Sequence, residues 1–264
     1  METDMKSLVK IAVLIFAGSM ATHAFAAEGD SGWKYGIGTG ISWLTVKGNL
    51  GFYSPLAGGP VEADLDLTPS DINNAMKNAF GFGGFAAKDK WKILVQTKYM
   101  QLVGDVQGAT PGGTPVYAAS SFKVYGVFIG GVYEFARTGS AVWGALGGIR
   151  YTEHKWENTL SFLGSTAANN FSHSWTDAVI GLTNSYYFNK EWSWNTQVDA
   201  AGGQSNGTFH GNTGIAWKFA KNWVTSLSAD YVSNNYENSN KGSTDWYLYT
   251  ANEFTTGVGI MYLF

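Results

Sequence analysis

The sequence predicts an all-β protein, a transmembrane antiparallel up-and-down β-barrel of about ten strands, with about eight to twelve compatible with the pattern. Three observations predict this fold. Charged residues make up only 14% of the 264 residues, against about 25% in soluble domains. Despite this low charge, no run of about 18 apolar residues marks a membrane-spanning helix. Bulky apolar residues instead recur at every second position, and short polar turns alternate with long polar stretches.

The segment WKYGIGTGISW at 33–43 shows the alternation most clearly. Its odd positions hold Trp, Tyr, Ile or Thr, whereas its even positions hold Lys, Gly or Ser. Successive side chains of a strand point to opposite faces, so this segment has one bulky face and one small or polar face. A helix would distribute both sets around its circumference, and the pattern therefore predicts a strand.

The same period recurs along the rest of the chain, in segments near the ~9–11 residues that a tilted membrane strand needs. These segments lie near 79–87, 91–99, 122–135, 143–151, 180–188, 192–199, 210–219, 223–231 and 254–264. The face assignment stays open in one of them, since Phe122, Val124 and Phe128 compete with Tyr125, Val127 and Ile129.

The connections between these segments alternate in length. Short turns are predicted at 88–90, 136–139, 189–191 and 220–222, and longer polar stretches at about 50–74, 104–120, 154–171 and 233–247, with a brief one at GGQSNG. Aromatic residues stand before and after the short turns, as in YYFNKEWSW and WKFAKNWVT. Tight turns at one end and extended loops at the other are typical of membrane barrels, and an even strand count places both termini at the turn end.

The N-terminal segment predicts a secretory signal peptide at 1–26, followed by a barrel domain at 27–264. Lys6 and Lys10 flank an apolar stretch, and Ala24-Phe25-Ala26 fits the small-x-small cleavage pattern. The sequence contains no Cys, so its stability does not depend on disulfides. The net charge of -3 is mild and no basic block is present, so nucleic acid is not an expected partner.

The sequence ends in Tyr262-Leu263-Phe264. Together with the signal peptide, the turn and loop alternation and the aromatic pairs, this ending resembles small Gram-negative outer-membrane β-barrel proteins of the OmpA-like and porin-like superfamily. The resemblance implies integral insertion in the cell outer membrane, contact with its lipid and lipopolysaccharide, and assembly by the barrel-assembly machinery. In that family a terminal aromatic-x-Phe is part of the assembly signal, a role that would fall on Tyr262 and Phe264. No specific member is indicated.

If the bulky face meets lipid, the other face lines the barrel interior, or lumen. Ionisable residues of both signs then reach similar heights, which predicts a lumen charge ring of Lys98, Arg150, Asp177, Asp199, His210, Asp230 and Glu253. Charges in a narrow lumen are costly unless they are paired. Two interpretations remain open: a structural plug that fixes strand register, and a constriction for small solutes that weakly favours cations because acids outnumber strong bases.

The candidate catalytic residues lie near the predicted loops. An omptin-like protease would need paired acids and an Asp/His couple, but Asp64 and Asp66 supply only an Asp-x-Asp, and neither His154 nor His173 has an Asp two residues before it. A Ser/His lipid hydrolase is conceivable from FSHSW, although adjacent strand residues point to opposite faces. No catalytic residue, metal ligand set or cofactor is therefore predicted.

One stretch, DLDLTPSDINNAMKNAF, has helical character, with Ser70 or Asp71 as a candidate cap. Its acids either bind a divalent cation or belong to a solvated loop. The function predicted for the whole chain is a structural or narrow porin-like channel for small solutes, without enzymatic activity. The alternatives are an outer-membrane hydrolase, either omptin-like or lipid A-modifying, with its site at the loop end, and a surface-recognition barrel acting through its loops.

Overall fold

A computed structural model describes residues 32–54, 58–109, 115–162 and 165–264. The predicted signal peptide at 1–26 lies outside the described residues. The elements are β1 (Lys34–Ser54), β2 (Gly59–Leu67), α1 (Pro69–Ala75), β3 (Met76–Lys88), β4 (Trp91–Ala109), β5 (Pro115–Thr138), β6 (Ala141–Phe162), β7 (Ser165–Tyr187), β8 (Trp192–Gly203), β9 (Gly207–Ala220), β10 (Trp223–Glu237) and β11 (Tyr247–Leu263). Within these ranges no helix has the length and apolar character needed to cross a membrane.

All eleven strands belong to one antiparallel sheet, and ten of them close into a barrel. The first strand, β1, pairs with β11 from Gly36↔Leu263 to Phe52↔Tyr247. On its other side β1 pairs with β3 only from Lys34↔Ala87 to Gly38↔Gly83. The extra strand, β2, pairs with the upper part of β1 from Val46↔Leu67 to Ser54↔Gly59. The predicted up-and-down barrel of about ten strands is confirmed.

The two ends of the barrel differ as predicted. At the turn end, short connections at 89–90, 139–140, 188–191 and 221–222 join the strands, and positive φ at Asp89 (52°) and Gly139 (56°) lets the chain reverse there. At the loop end, however, the strands continue further than expected, to lengths of 12 to 24 residues for β3 to β11. The predicted long loops at 104–120 and 154–171 are largely paired strand, because backbone pairing outside the apolar layer does not need apolar side chains.

The outer surface carries a belt of exposed apolar side chains. Its aromatic residues form a ring at the turn end, which includes Trp91, Phe135, Trp143, Tyr186, Trp192, Trp217 and Trp223, and a second ring nearer the loop end, which includes Trp43, Phe80, Phe209, Tyr231 and Phe254. Two aromatic girdles around an apolar band are what lipid-facing barrels present. The structure also settles the open face of β5, since Val124 and Phe128 are buried whereas Ile129 is 55% exposed.

The turn-end half of the lumen is filled by side chains. Its buried cluster comprises Phe85, Ala87, Leu94, Phe128, Val132, Leu146, Val179, Ala201, Ala216, Val224 and Met261. The ring of Phe128 fits against two inward glycines, Gly130 and Gly148, where a Cβ atom would come within 3 Å of the ring. Glycine at these positions therefore makes room for the bulky residue that closes this half.

The close packing at Gly148 predicts the effect of a single methyl group. In Gly148→Ala the new Cβ would lie 2.6 Å from the Ile129 carbonyl oxygen, so we expect a loss of about 1–3 kcal/mol in unfolding free energy. Urea unfolding in lipid vesicles, followed by tryptophan fluorescence, measures it. The adjacent Gly147→Ala is the matched control, because the nearest atom there is 4.0 Å away. Equal losses in both variants would contradict this account.

Candidate functional site

The predicted ring residues meet near the middle of the lumen, where His210 lies between two carboxylates. His210 on β9 is paired in register with Asp199 on β8, and its Nδ1 is 2.5 Å from Asp199 Oδ2. Its Nε2 is 2.7 Å from Asp230 Oδ2 on β10. Asp199 also accepts hydrogen bonds from Arg150 Nη2 at 2.9 Å and from Gln197 Nε2 at 2.7 Å. These side chains form a continuous chain of hydrogen bonds across β6 to β10.

The partners of His210 determine its chemistry. Ionised carboxylates only accept hydrogen bonds, so both contacts are satisfied when the imidazole carries a proton on each nitrogen. The ring then acts as a cation shared by two anions. Neither ring nitrogen is left to take a proton from a substrate.

A second ion pair lies in the same lumen. Lys98 Nζ on β4 lies 4.0 Å from Glu253 Oε2 on β11. The other oxygen of Glu253 accepts hydrogen bonds from Asn234 Nδ2 at 2.8 Å and from the Tyr249 hydroxyl at 2.9 Å. We call these residues the charge network: Lys98, Arg150, Asp199, His210, Asp230 and Glu253. Because His210 counts as a cation, the charge network contains three cations and three carboxylates.

Asp177, the remaining predicted ring residue, bonds to the backbone of a connection between strands. It faces the lumen on β7 with 1% of its surface exposed, and its Oδ1 accepts the Ser205 backbone N–H at 2.9 Å. This bond fixes the connection between β8 and β9. Asp177 therefore lies in the lumen but holds the Ser205 backbone rather than joining the hydrogen-bond chain through Asp199 and His210.

A cavity of about 360 Å³ lies on the loop side of the charge network. Its wall is mostly apolar and includes Leu44, Val46, Leu65, Leu67, Ile72, Met100, Leu102 and Val124, whereas its floor includes all residues of the charge network except Asp199. The volume lies in the range of small-molecule sites. In the floor, Arg150 Nη1 is buried and has no hydrogen-bond partner within the described residues.

Aromatic side chains close the cavity toward the loop end. His154 Nδ1 on β6 is 2.7 Å from the Tyr247 hydroxyl on β11, and these strands are five positions apart in a ring of ten. The contact therefore crosses the full width of the lumen. Further pairs add to this aromatic roof, namely Phe52–Phe171 at 5.1 Å, His173–Tyr247 at 4.4 Å and Trp175–Tyr236 at 4.2 Å between ring centroids.

One side of the cavity is formed by α1 rather than by a strand. Ile72 is 1% exposed and packs in the cluster that contains Leu44 and Met100. Thr68 is the N-cap: its hydroxyl accepts the Asp71 N–H, and Asp71 Oδ2 accepts the Thr68 N–H at 2.9 Å. The predicted caps, Ser70 and Asp71, are thus corrected to Thr68, with Asp71 as its partner in a capping box. The segment expected to be a long loop forms β2 and α1.

The acids and the histidines considered for catalysis lie on different elements, with Asp66 on β2 and His154 and His173 opposite each other on β6 and β7. Asp66 is on β2 and pairs with Lys47 at the surface, with an N–O distance of 3.3 Å. His154 and His173 both belong to the aromatic roof. Over the described part of the chain, no group of three or more His, Cys, Asp or Glu side chains is arranged to hold a metal ion.

The predicted assembly signal lies at the turn end. The Tyr262 ring contacts Trp223 at 5.0 Å. Phe264 is 72% exposed, and its backbone N–H donates to the Tyr35 carbonyl at 3.1 Å. Both residues therefore stand where the last strand meets the first.

Sequence reasoning missed Ile72 and the roof residues. Ile72 is the one strongly apolar residue in SDINNA, a signal that could have indicated an inward anchor. His154 has the same strand parity as Arg150 on β6, so its inward direction was predictable. Its partner on the opposite wall was not, because no local pattern encodes a contact across the lumen.

Comparisons with known proteins define the class of fold. No family model and no curated protein matches the chain. Among solved structures it is similar to the outer membrane protease OmpT from Escherichia coli, with TM-score 0.50 and 11% identity over 92% of this chain and 100% of that one. It is also similar to the translocator domain of the autotransporter NalP from Neisseria meningitidis, with TM-score 0.50 and 10% identity over 89% of each chain.

At sequence identities of 10–11%, the similarity to these two structures is a similarity of fold alone. The chain has the fold of outer-membrane β-barrel proteins, and the resemblance stated from the sequence is confirmed at that level. Proteins of different activity share it, so an activity has to be argued from the lumen itself.

The burial of the charge network predicts a strong effect of neutralising its centre. In Asp199→Asn, Arg150 and His210 lose the anion between them, and because the Asp199 side chain is 0% exposed we expect a loss of about 3–5 kcal/mol in unfolding free energy. Urea unfolding in lipid vesicles measures it. Asp66→Asn is the matched control, since that carboxylate is 72% exposed and surface pairs contribute little. A small loss at Asp199 would show that the network is not structural.

The capping box predicts acid sensitivity of α1. The Thr68 hydroxyl and then the Thr68 N–H hold the pKa of Asp71 below its ordinary value of 3.8. A lowered folded pKa means that its contribution to stability is present above about pH 3.8 and is lost as the pH falls through the folded value. A fluorophore on Asn74→Cys should therefore report loosening of α1 in that acid interval. The same change in a protein that also carries Asp71→Asn would contradict the assignment.

Proposed function

We propose that this protein is an integral outer-membrane barrel that binds small solutes in its lumen, is non-enzymatic, and keeps the route beyond the binding cavity closed at rest. The observation that carries this function is the cavity itself. It combines a mostly apolar wall with a floor of charged side chains, and both are preformed. An apolar pocket with a few converging polar groups is the usual form of a small-molecule site.

The exposed belt supports placement in the outer membrane. Large aromatic and aliphatic side chains such as Ile180, which is 73% exposed, and Leu227, which is 62% exposed, would be unfavourable in water over so wide a surface. In a lipid bilayer these apolar side chains contact acyl chains instead of water. With the fold of outer-membrane barrels, this belt favours insertion with the turn end in the periplasm.

The exposed end of the chain extends the same proposal to assembly. Phe264 is 72% exposed, which supports its recognition by the barrel-assembly machinery. Contact of the loop-end aromatic ring with lipopolysaccharide belongs to the proposal as well, because aromatic girdles of membrane barrels lie at the two membrane interfaces.

The lumen below the cavity supports a closed rather than an open passage. The charge network forms the floor, and the packed turn-half cluster with Leu94 (0% exposed) and Val179 (2% exposed) lies beneath it. Barrels of about eight strands are filled by side chains, whereas wide channels appear at about 16–18 strands. The proposal therefore combines the two interpretations of the charged residues. The charge network fixes strand register, as a structural plug would, and it also forms the floor of the solute-binding cavity.

The chemistry of the lumen supports binding rather than catalysis. A general base needs a nitrogen or oxygen within hydrogen-bond reach of the proton that it removes. Both nitrogens of His210 are bonded to carboxylates, and His154 Nδ1 is bonded to Tyr247. None of these three nitrogens is free to act as a general base, which favours binding over the hydrolase alternative.

Saturable binding of a small amphiphile tests the proposed function. We expect 4-fluorophenol, followed by ¹⁹F NMR with the protein in lipid nanodiscs, to show a saturable component that empty discs lack, with a dissociation constant of about 1 mM or lower for so small a ligand. Val124→Trp places an indole in the cavity and should abolish that component. Unfolding by urea checks that this variant is folded, and Leu102→Trp serves as a second filled variant.

The control for passage is a planar-bilayer recording of the unmodified protein. We expect no regular conductance steps, because the turn-half cluster closes the lumen. Binding that persists in both filled variants would refute the cavity as the site. Regular steps of a wide pore would refute the closed state.

A further inference from the structure

The barrel wall has one incomplete sector, between β1 and β3. Their ladder has five residue pairs, from Lys34↔Ala87 to Gly38↔Gly83, whereas the next shortest ladder that closes the barrel, β8–β9, has ten. Residues 39–45 of β1 pair with β11 on one side but have no ladder partner on the other within the described chain. We call this sector the seam.

An unpaired stretch of strand is unusual inside an apolar layer, because unsatisfied backbone groups cost several kcal/mol each there. The side chains compensate only in part. The Thr39 hydroxyl donates to the Gly81 carbonyl at 2.7 Å, but Ser42, which is 0% exposed, has an Oγ without a hydrogen-bond partner in the described residues. The seam is therefore the sector of the wall held by the fewest backbone bonds.

The helix α1 covers the seam at its upper end. It connects the lower end of β2 to the upper end of β3, and it has only seven residues, PSDINNA. Such short helices are marginal by themselves and depend on tertiary contacts. The main packing contact of α1 is made by Ile72, its only buried residue. This part of the cavity wall can be displaced more easily than a paired strand.

Among the described residues, the contacts at the two ends of the cavity are more extensive than those at the seam. The aromatic roof joins opposite walls through His154 and Tyr247. The charge network and the turn-half cluster close the opposite side. Trp43 and Phe80, which are 46% and 45% exposed, lie on the outer surface of the two strands that flank the seam. Displacement of α1 toward the seam would thus open the cavity beside this apolar surface.

We infer that the cavity takes an apolar molecule bearing one hydrogen-bond-accepting group, and that this molecule enters sideways from the outer leaflet through the seam, with α1 as the movable wall. The inference rests on the proposed function and specifies its substrate class and route. Leu44, Leu67 and Met100 contact the apolar body. The polar group meets the floor at Arg150, where one guanidinium nitrogen still lacks a partner.

Single-cysteine labelling tests the route, because the chain has no native Cys. Val124→Cys places a thiol on the cavity wall, and Ala216→Cys places one in the packed turn-half cluster as a matched buried control. Each protein, in lipid vesicles, is treated with N-phenylmaleimide, which partitions into lipid, and separately with its sulfonated analogue, which stays in water. In both reactions the thiolate sulfur adds to the maleimide double bond, and the adjacent carbon takes a proton from water.

We expect N-phenylmaleimide to modify Val124→Cys at least about tenfold faster than the sulfonated reagent does, and neither to modify Ala216→Cys appreciably. Adding Ile72→Ala should raise only the N-phenylmaleimide rate, by about tenfold, because three carbons of the anchor of α1 are lost. Thr68→Ala, an exposed change that removes the N-cap, should act in the same direction and covers the case in which Ile72→Ala does not fold.

Three outcomes would overturn the inference. Equal rates for the two reagents would indicate access from water through the loops, and unchanged rates in both α1 variants would show that α1 is not the movable wall. If 4-fluorophenol binding persists in either case, the proposed function stands and only the route fails. If neither reagent reaches Val124→Cys and 4-fluorophenol does not bind, both the route and the function fail.

Discussion

The whole structure depends on the pairing of backbone N–H and C=O groups in an apolar layer that offers no other partner. The long ladder between β1 and β11 satisfies this requirement where the chain closes on itself. Where β1 leaves β3, β2 meets the requirement along the upper part of β1, whereas residues 39–45 have no ladder partner on that side within the described chain. The departure is local, and the cavity lies directly behind it.

The lipid-facing half of the fold was predictable because lipid imposes one simple demand on every second residue. The outward positions of the last strand, Phe254 to Phe264, follow that demand, and so do Trp192 and Trp194 on β8. In β5 this requirement does not distinguish the two faces, because the inward Phe128 is as apolar as the outward Ile129. Above the apolar layer this requirement no longer applies, so the polar extensions of β5, β6 and β7 have the sequence pattern of loops.

The interior was predictable in composition but not in arrangement. Parity alone identifies Arg150, Asp199 and His210 as inward residues. Which of them meet depends on side-chain reach across strands that are not neighbours, as between Arg150 on β6 and Asp199 on β8. Asp177 shows the limit, since it is opposite Arg150 in the β6–β7 register but bonds to Ser205 instead. The roof depends on the barrel diameter, which no segment of sequence contains.

The equal numbers of positive and negative groups in the charge network have a consequence for how molecules are distinguished. A compensated interior exerts little electrostatic pull beyond the Debye length of about 8 Å at physiological salt, so it neither steers ions from a distance nor repels them. Discrimination must then arise at van der Waals contact, from the outline of a molecule and from the placement of its single polar atom. Such a barrel would be indifferent to net charge in the surrounding fluid and selective for shape.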